Sequence, residues 1–422
     1  MNLNLKGRSV LVGVTGSIAI YKTCELIRLF VKAEAKVRVV MTKSAIKFIS
    51  PLTFEALTRE RALTDNSEDW SSDLNHIDYA KWADIFIIAP ATANSINKLS
   101  KGIADNILLQ TALAFNKPLL IAPSANVNMV ENHYTKGSLK MLSVNDITII
   151  NSQTKLLACG DMGNGALAEP LEIFYQGAKA LLIDEYWNNR RVVVTGGGTI
   201  EKIDEVRYIS NFSSGKMANA LATALYLKGA DVCLITTRPH QDIPKDIYVI
   251  DVESSEEMYE YLEDAIRVAK RGKMTKASLN STNPIQIVKK RPFLFMASAV
   301  ADFIPKYPQQ GKIKKSSLGD EWRLELIKNR DILKSIDKDG VVTIGFKAEM
   351  DRDIGLNSAK EMLHSKNIDG VCYNLLNNSG SFGTNTNSIT FITTDRVVNL
   401  GEDEKLSISF KILEESKKLS DG

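Results

Sequence analysis

The chain alternates short apolar runs with stretches of helical spacing, an arrangement typical of a parallel sheet covered by helices on both faces. In the first half, apolar runs occur at Ser9–Val14, Lys36–Met41, Asp84–Pro90, Lys117–Pro123 and Ile147–Ile150. The pattern restarts with Arg190–Val194 and Asp231–Thr236. We therefore predict two α/β domains, residues 1–189 and 190–422, each with a mostly parallel sheet flanked by helices.

The composition argues against several classes of function. The 422 residues include 53 Lys and Arg against 50 Asp and Glu, a net charge of +3 that is too balanced for binding nucleic acid or a membrane by bulk charge. No apolar run approaches the roughly 20 residues that span a bilayer. The four cysteines form no CxxC pair, and the start of the chain lacks a signal-peptide pattern. We expect a cytoplasmic protein with reduced thiols.

Each domain begins with a strand that ends in a glycine turn, at Thr15-Gly16-Ser17 and at Gly196–Gly198. Such turns bring backbone N–H groups close to a phosphate at the start of a helix. Neither turn matches GxGxxG or GxxxxGK[ST], so a tight turn without a ligand remains an alternative. Ser44 and Thr92-Ala93-Asn94 also follow strands, at the edge where ligands of parallel sheets collect.

Three residues of the first half are candidates for chemistry. His76 precedes the Asp84–Pro90 run, although a lone histidine is more often a surface or core residue. Asn126 follows the fourth run and could equally be a helix N-cap. Cys159 lies in the glycine-dense segment 158–165; such loops often cover a site, whereas a free cysteine is otherwise a small buried hydrophobe.

In the second half, the segment Arg207–Met217 places Arg, Asn, hydroxyl groups and Lys at the start of a helix, which suits an anionic substrate. Asp302 ends a further strand and could hold a metal-bound triphosphate. Residues 312–315 form a basic cluster, a pattern that usually marks a solvated face. Phe346 ends another strand.

Together these motifs resemble two enzyme families. The first half, with GVTGSIAIYK, HIDYAKWAD, APATANSINKLSKGIADN, PSANVNM and ACGDMGNG, resembles the flavin-dependent cysteine decarboxylases. The second half, with VVVTGGGTIEKIDEVRYISNFSSGKM, SAVADF, KIKK, ELIKNRDIL and GFKAE, resembles the phosphopantothenoylcysteine synthetases. In this order the motifs are similar to the bacterial bifunctional coenzyme A biosynthesis enzymes. That resemblance implies Rossmann-like domains, the first of them flavodoxin-like.

For the first domain, the resemblance implies FMN-dependent decarboxylation of 4′-phosphopantothenoylcysteine to 4′-phosphopantetheine. His76 matches the decarboxylation histidine, Asn126 the residue that holds the substrate carboxylate, and Cys159 the proton donor. Ala125 replaces the usual Met of the family, and Ala166 stands where Arg is common. The residues that match flavin and phosphate positions are Gly16, Ser17, Ser44, Thr92 and Asn94.

For the second domain, the resemblance implies ligation of cysteine to 4′-phosphopantothenate through an acyl-cytidylate, with CTP and Mg²⁺. Asn211 matches the residue that contacts the acyl intermediate. Arg207 belongs to the loop of the second half-reaction, and Lys312 matches the lysine of the cysteine-dependent step. The residues that match nucleotide positions are Gly197, Asp302, Lys312 and Phe346. The sequence identifies no metal ligands, and the stretch Lys270–Lys290 is interpreted as an inserted surface loop.

The family implies a trimer-based homo-oligomer, with a dodecamer as the expected assembly, and no nucleic-acid or membrane partner. Two alternatives stay open at this stage. One is a ligase whose flavoprotein half is inactive or regulatory. The Ala125 replacement favours it, whereas the intact His76, Asn126 and Cys159 argue against it. The other is a dinucleotide-binding oxidoreductase, although the GxGxxG turn and the acidic partner of the ribose are missing.

The proton-donor assignment predicts the behaviour of Cys159→Ser. The variant should still release CO₂ from 4′-phosphopantothenoylcysteine, but the enethiol that forms should not be reduced by the flavin to 4′-phosphopantetheine. That reduction also needs a proton donor, and serine is a much weaker acid than cysteine. Mass spectrometry of the products, with CO₂ release measured in parallel, checks this. Normal formation of 4′-phosphopantetheine would remove Cys159 from the mechanism.

Overall fold

The structure, a computed structural model, describes residues 3–156, 160, 162–238, 242–275, 277–279, 285–314, 321–376 and 383–419. The chain divides into two compact units. The first contains the described residues of 3–183 and of 277–286, and the second those of 184–275 and 287–419. Among the described helices, none is both long enough and apolar enough to cross a membrane.

The first unit is built on a parallel sheet with the strand order β3-β2-β1-β4-β5-β6. Its strands are β1 Ser9–Val14, β2 Lys36–Met41, β3 Ala62–Thr64, β4 Ile85–Ala91, β5 Leu119–Pro123 and β6 Thr148–Ile149, followed by the antiparallel hairpin β7 Gln153–Leu156 and β8 Met162–Ala166. Its helices are α1 Tyr21–Lys32, α2 Lys43–Ile46, α3 Pro51–Thr58, α4 His76–Trp82, α5 Ala93–Leu99, α6 Ile107–Ala114, α7 Val127–Glu131, α8 His133–Val144 and α9 Pro170–Leu182.

The apolar pattern explains why this sheet lies inside the domain. Every residue of β4 is buried, as expected for a central parallel strand with helices on both faces. Helices then begin at polar caps: the side chains of Asn75, Thr92 and Asn106 each accept a hydrogen bond from a backbone N–H of the following turn. Without the short strand β3, the order of the remaining five strands is that of flavodoxin. With β3 at the edge, the order of all six strands is that of the Rossmann fold.

The second unit has an eight-stranded sheet with the order β13-β12-β9-β16-β19-β20-β21-β22. These strands are β9 Arg191–Gly196, β12 Asp231–Thr236, β13 Tyr248–Asp251, β16 Phe293–Met296, β19 Val342–Glu349, β20 Gly370–Leu375, β21 Thr386–Ile392 and β22 Val397–Glu404. Short antiparallel pairs are β10 Glu201–Lys202 with β11 Tyr208–Ile209, β14 Lys273–Met274 with β15 Ile287–Val288, and β17 Phe303–Pro305 with β18 Leu326–Lys328. The helices are α10 Lys216–Leu227, α11 Ser255–Lys270, α12 Ile332–Ser335, α13 Arg352–Ser365 and α14 Lys405–Lys417.

The structure confirms the predicted α/β class and adds detail that the apolar pattern lacked. The last two strands of the second sheet, β21 and β22, are antiparallel, so this sheet is mixed. Part of the stretch interpreted as an inserted loop forms the β14–β15 pair. These strands are two residues long or carry polar side chains, so they give no strong alternation of polar and apolar positions.

Near the end of the second domain, a buried lysine side chain binds a neighbouring segment of the main chain. Lys405 begins α14, yet its side chain is buried. Its Nζ donates to the backbone oxygens of Thr384 at 2.5 Å and Thr386 at 2.9 Å and to Oδ1 of Asn387 at 2.9 Å. Burial, and then the charge of Lys216, lower the pKa of Lys405 to about 8.

The lowered pKa of Lys405 predicts a pH-dependent term in stability. Between about pH 8 and pH 10 the Lys405 side chain is protonated in the unfolded chain and neutral in the folded chain. The contribution of this group to the free energy of unfolding therefore increases as the pH rises. Relative to Lys405→Met, the wild type should therefore become more stable across this window, by roughly 3 kcal/mol at most.

Chemical denaturation at several pH values measures this difference. Lys411→Met is the matched control, because Lys411 lies on the same helix but is exposed and pairs with Asp403. If the two variants show the same pH dependence, the lowered pKa of Lys405 is wrong.

Candidate active sites

In the first domain, the turn after β1 is held against the turns after β2 and β4. A β-carbon at Gly16 would lie 2.5 Å from Cβ of Ser44, so only glycine lets these two turns approach. The buried Thr15 hydroxyl donates to the backbone oxygen of Pro90 at 2.7 Å and accepts from the backbone N–H of Thr92 at 2.9 Å. Three of the predicted flavin positions, Gly16, Ser44 and Thr92, are thereby brought together.

Ser17 extends this cluster to the turn after β5. Its hydroxyl lies 3.2 Å from that of Ser124, two residues before Asn126. Asn126 is the N-cap of α7, and its Oδ1 accepts from the backbone N–H of Asn128 at 2.9 Å. The N-cap interpretation is therefore correct, and it is compatible with a second role for this side chain.

The β7–β8 hairpin packs against the Asn126 turn. The backbone N–H of Ala125 donates to the oxygen of Gly165 at 3.1 Å, a contact that does not depend on the side chain at position 125. A β-carbon at Gly163 would lie 2.6 Å from Cγ2 of Val127. Cys159 itself lies outside the described residues, but the two strands that flank its segment are fixed beside Asn126.

His76 is the first residue of α4, and a carboxylate orients its ring. Nδ1 of His76 lies 2.7 Å from Oε1 of Glu68, and its backbone N–H donates to the same oxygen at 3.4 Å. The ring also packs edge-on against Trp70, with the centroids 5.4 Å apart. Among the described residues these are the polar and aromatic partners of His76, so the structure does not join it to Asn126 within one chain.

A groove lies beside the cluster of Gly16, Ser44 and Thr92 in the first domain. It has a volume of about 660 Å³, and Asn94 is among its lining residues together with Asn97, Asn128, Asn132 and Tyr134. Asn94 is itself exposed. Four asparagine side chains therefore contribute amide groups to the wall next to the predicted flavin positions.

In the second domain, the turn after β9 is again closed by glycines. Gly197 has φ +79°, and a β-carbon there would lie 2.1 Å from Oγ1 of Thr237. A β-carbon at Gly198 would lie 2.4 Å from the backbone oxygen of Asn211. Nδ2 of Asn211 donates to the backbone oxygen of Val300 at 3.0 Å, which places this residue between the glycine turn and the Asp302 segment.

Asp302 and Phe346, two of the predicted nucleotide positions, line one cavity of about 220 Å³. The wall also includes Asn329, whose Nδ2 donates to the backbone oxygen of Ala301 at 2.7 Å. Lys366, paired with Asp331, adds a positive charge at this cavity. The site thus has a carboxylate, an aromatic ring and cationic side chains at the carboxyl edge of the second sheet.

Arg207 and the segment of Lys312 lie side by side. Nη2 of Arg207 donates to the backbone oxygen of Ile313 at 3.3 Å, and its guanidinium carbon lies 5.3 Å from the ring centre of Trp322. The Lys312 side chain is exposed. The described part of the chain shows no group of three or more His, Cys, Asp or Glu side chains arranged for a metal ion.

Comparison with known proteins agrees with this division. The flavoprotein family model matches residues 1–179, and the model of the DNA/pantothenate metabolism flavoprotein C-terminal domain matches residues 187–419. Coenzyme A biosynthesis bifunctional protein CoaBC of Bacillus subtilis is 38% identical over 99% of this chain and 98% of its own. The protein of the same name from Haemophilus influenzae is 37% identical over 98% of both chains.

The chain belongs to the bifunctional coenzyme A biosynthesis family. It is thus a flavoprotein and a bifunctional enzyme with decarboxylase and ligase activities, and the oxidoreductase alternative no longer applies. Among solved structures, the C-terminal domain of a CoaBC protein matches with a TM-score of 0.42 and 26% identity, covering 56% of this chain and 99% of that one. The FMN binding protein AtHal3 matches with a TM-score of 0.37 and 38% identity, covering 41% and 95%.

For this family member, sequence reasoning missed three polar residues that the structure places at the two sites. They are Glu68, Ser124 and Thr237. Ser124 lies inside a quoted motif and directly after a strand, which is a usable signal. Glu68 and Thr237 lie in irregular segments, where no periodicity shows which side chain faces a site.

The contact between Glu68 and His76 predicts the effect of Glu68→Gln. The amide still reaches Nδ1, but it no longer offers a charged acceptor, so the imidazole should be less well oriented. We expect the decarboxylation rate to fall by about tenfold to a hundredfold, the effect of losing one charge-assisted hydrogen bond.

Steady-state decarboxylation of supplied 4′-phosphopantothenoylcysteine measures this change. Glu60→Gln serves as the control, because Glu60 is also a paired carboxylate but its partner is Arg38 rather than His76. An unchanged rate in Glu68→Gln would show that the carboxylate does not assist His76.

Proposed function

We propose that the first domain, residues 1–189, decarboxylates 4′-phosphopantothenoylcysteine with FMN. The second domain, residues 190–422, makes this compound from 4′-phosphopantothenate and cysteine with CTP and Mg²⁺. The product of the ligase is then the substrate of the decarboxylase, so one chain performs two consecutive steps. The observation that carries the proposal is the match to bifunctional relatives over 98% of the chain, together with a glycine turn at the head of each domain.

The contacts in the first domain support a flavin phosphate and ring at the Gly16 cluster. The close approach of Gly16 to Ser44 and the neighbouring hydroxyls form a polar cradle of the kind that phosphate groups prefer. The FMN-binding residues are then Gly16, Ser17, Ser44, Thr92 and Asn94. Bound FMN would supply the two-electron oxidation of the substrate thiol and its later reversal, which lets the carboxyl group leave as CO₂.

The protein's own groups then have distinct tasks in the decarboxylation. Asn126, at the start of α7, holds the substrate carboxylate through its side-chain amide. His76 of a partner copy, oriented by Glu68, stands next to that carboxylate and balances the charge that changes as CO₂ departs. Cys159 donates the proton that completes 4′-phosphopantetheine, and the packing of the β7–β8 hairpin beside Asn126 supports this role.

In the second domain, the 4′-phosphopantothenate carboxylate attacks the α-phosphate of CTP, which releases pyrophosphate and leaves an acyl-cytidylate. The cysteine amine then attacks the acyl carbon, and CMP leaves. Gly197, Asp302 and Phe346 bind the nucleotide, and Mg²⁺ accompanies its triphosphate. Asn211 contacts the acyl intermediate, which its position between Gly198 and Val300 supports. Arg207 and Lys312 serve the cysteine-dependent step.

We also infer a trimer-based homo-oligomer in the cytoplasm, with a dodecamer as the complete assembly. Large apolar side chains surround the flavin cluster: Ile18 and Tyr21 are 58% and 61% exposed, and Phe48 is 48% exposed. A partner copy would cover them, and it could supply the His76 that one chain does not bring to Asn126. The described cysteines are free thiols, as expected in a reducing compartment.

A coupled assay tests the assignment of the two reactions. Purified protein is supplied with 4′-phosphopantothenate, cysteine, CTP and Mg²⁺, and the products are identified by mass spectrometry. A yellow protein that forms 4′-phosphopantetheine establishes both reactions. Accumulation of 4′-phosphopantothenoylcysteine in a flavin-loaded protein would instead establish the alternative, a ligase with an inactive flavoprotein half.

Lys312→Gln in the same assay separates the half-reactions. Pyrophosphate release and the acyl-cytidylate should remain detectable, whereas amide formation should stop, because the neutral amide cannot replace the ammonium group in the cysteine-dependent step. Decarboxylation of supplied 4′-phosphopantothenoylcysteine is the internal control. An unaffected overall ligase rate would contradict the role of Lys312.

A further inference from the structure

A buried carboxylate lies between the two segments that carry Arg207 and Lys312. The side chain of Asp204 is fully buried. Its Oδ1 accepts from the backbone N–H groups of Val206 at 2.8 Å and Arg207 at 2.7 Å. Its Oδ2 accepts from Nη1 of Arg207 at 2.9 Å and from the backbone N–H of Ile313 at 3.1 Å.

These four hydrogen bonds keep Asp204 ionised. Burial alone would raise the pKa of its carboxyl group. The backbone N–H groups of Val206, Ile313 and Arg207, together with the Arg207 charge, outweigh burial and hold the pKa below its ordinary value. Separating a buried charge from one of its partners costs much free energy, so the geometry around Asp204 is well defined.

Further hydrogen bonds join the segment that carries Arg207 to the segment that carries Lys312. The backbone N–H of Gln309 donates to the oxygen of Ile203 at 2.9 Å, and that of Glu205 donates to the oxygen of Gly311 at 3.4 Å. Nη2 of Arg207 also donates to the oxygen of Ile313. Asp204 therefore binds both the Arg207 guanidinium and the main chain next to Lys312.

We propose that Asp204 is a positioning residue of the ligase site, which holds the main chain beside Lys312 at a set distance from the Arg207 guanidinium. This inference rests on the proposed roles of Arg207 and Lys312. Asp204 does not touch the reacting atoms. It acts by keeping the two cationic side chains in register where the cysteine amine meets the acyl-cytidylate.

Loss of the Asp204 charge should affect only one of the two ligase steps, because other contacts hold the nucleotide cavity in place. Asn329 fixes the Ala301–Asp302 segment through its side chain and through its backbone N–H, which donates to the oxygen of Asp302 at 2.8 Å. Loss of the Asp204 charge should therefore impair amide formation and spare acyl-cytidylate formation. A residue that merely stabilised the domain would affect both steps alike.

Asp204→Asn in the full-length protein tests this selectivity. An asparagine keeps the shape, but its NH₂ group would face donors rather than accept from them. The overall ligase rate should fall by about tenfold to a hundredfold, as for the loss of a charge-assisted hydrogen bond. Pyrophosphate release from CTP and 4′-phosphopantothenate without cysteine should change by less than about twofold, and acyl-cytidylate should accumulate.

Asp184→Asn is the matched control. Asp184 also accepts from backbone N–H groups, those of Tyr186 at 3.0 Å and Trp187 at 3.4 Å, and it pairs with Lys417 at 2.6 Å. It belongs to neither proposed site, so both ligase steps should stay within about twofold of the wild type when they are measured per folded protein. Decarboxylation of supplied 4′-phosphopantothenoylcysteine reports on the other domain of each variant.

Ile313→Pro provides a second route if Asp204→Asn fails to fold. It removes the N–H that donates to Oδ2 of Asp204 and leaves the carboxylate and Arg207 intact. The same split between the two steps is expected. If the folded variants lose both steps equally, or neither, the positioning role is wrong. If the wild type shows no CTP-dependent ligation, the proposed function fails instead, whatever the variants do.

Discussion

Both sites depend on the close approach of neighbouring turns at the carboxyl edge of a parallel sheet. Gly16 leaves space for the Ser44 side chain, and Gly198 leaves space for the backbone of Asn211. A β-carbon at either position would come within 2.5 Å of its neighbour, so any other residue would force the turns apart. These turns carry the polar groups of the candidate sites, so the two glycines control the spacing of those groups.

Short polar side chains then join turns that are distant in the sequence. Thr15 reaches Pro90, 75 residues away, and Ser17 reaches Ser124, 107 residues away. A hydrogen bond of this kind contributes only about 1 kcal/mol to stability. Its value at these positions is geometric, because it fixes the distance between two loops that the apolar core alone would leave variable.

The fold could be predicted well from the sequence, and the sites only in part. The apolar runs at β1, β2 and β12 coincide with the observed strands, because buried parallel strands are continuous and hydrophobic. Glycine turns and the resemblance located the residues that follow those strands. The sequence did not indicate roles for Glu68 and Asp204. Each lies in an irregular segment and binds a partner from another segment, a contact that no local pattern encodes.

Two of the buried charged residues described in the second domain suggest how it combines stability with a defined site. Lys405 and Asp204 each bind main-chain groups of a neighbouring segment rather than sitting in a simple ion pair. Well-packed apolar residues are often at least as stabilising as a buried charge, so stability alone does not explain such groups. An apolar side chain, however, cannot accept from a backbone N–H or donate to a carbonyl oxygen. Where a reaction needs a loop held in one position, a buried charge bound to the main chain does what packing cannot.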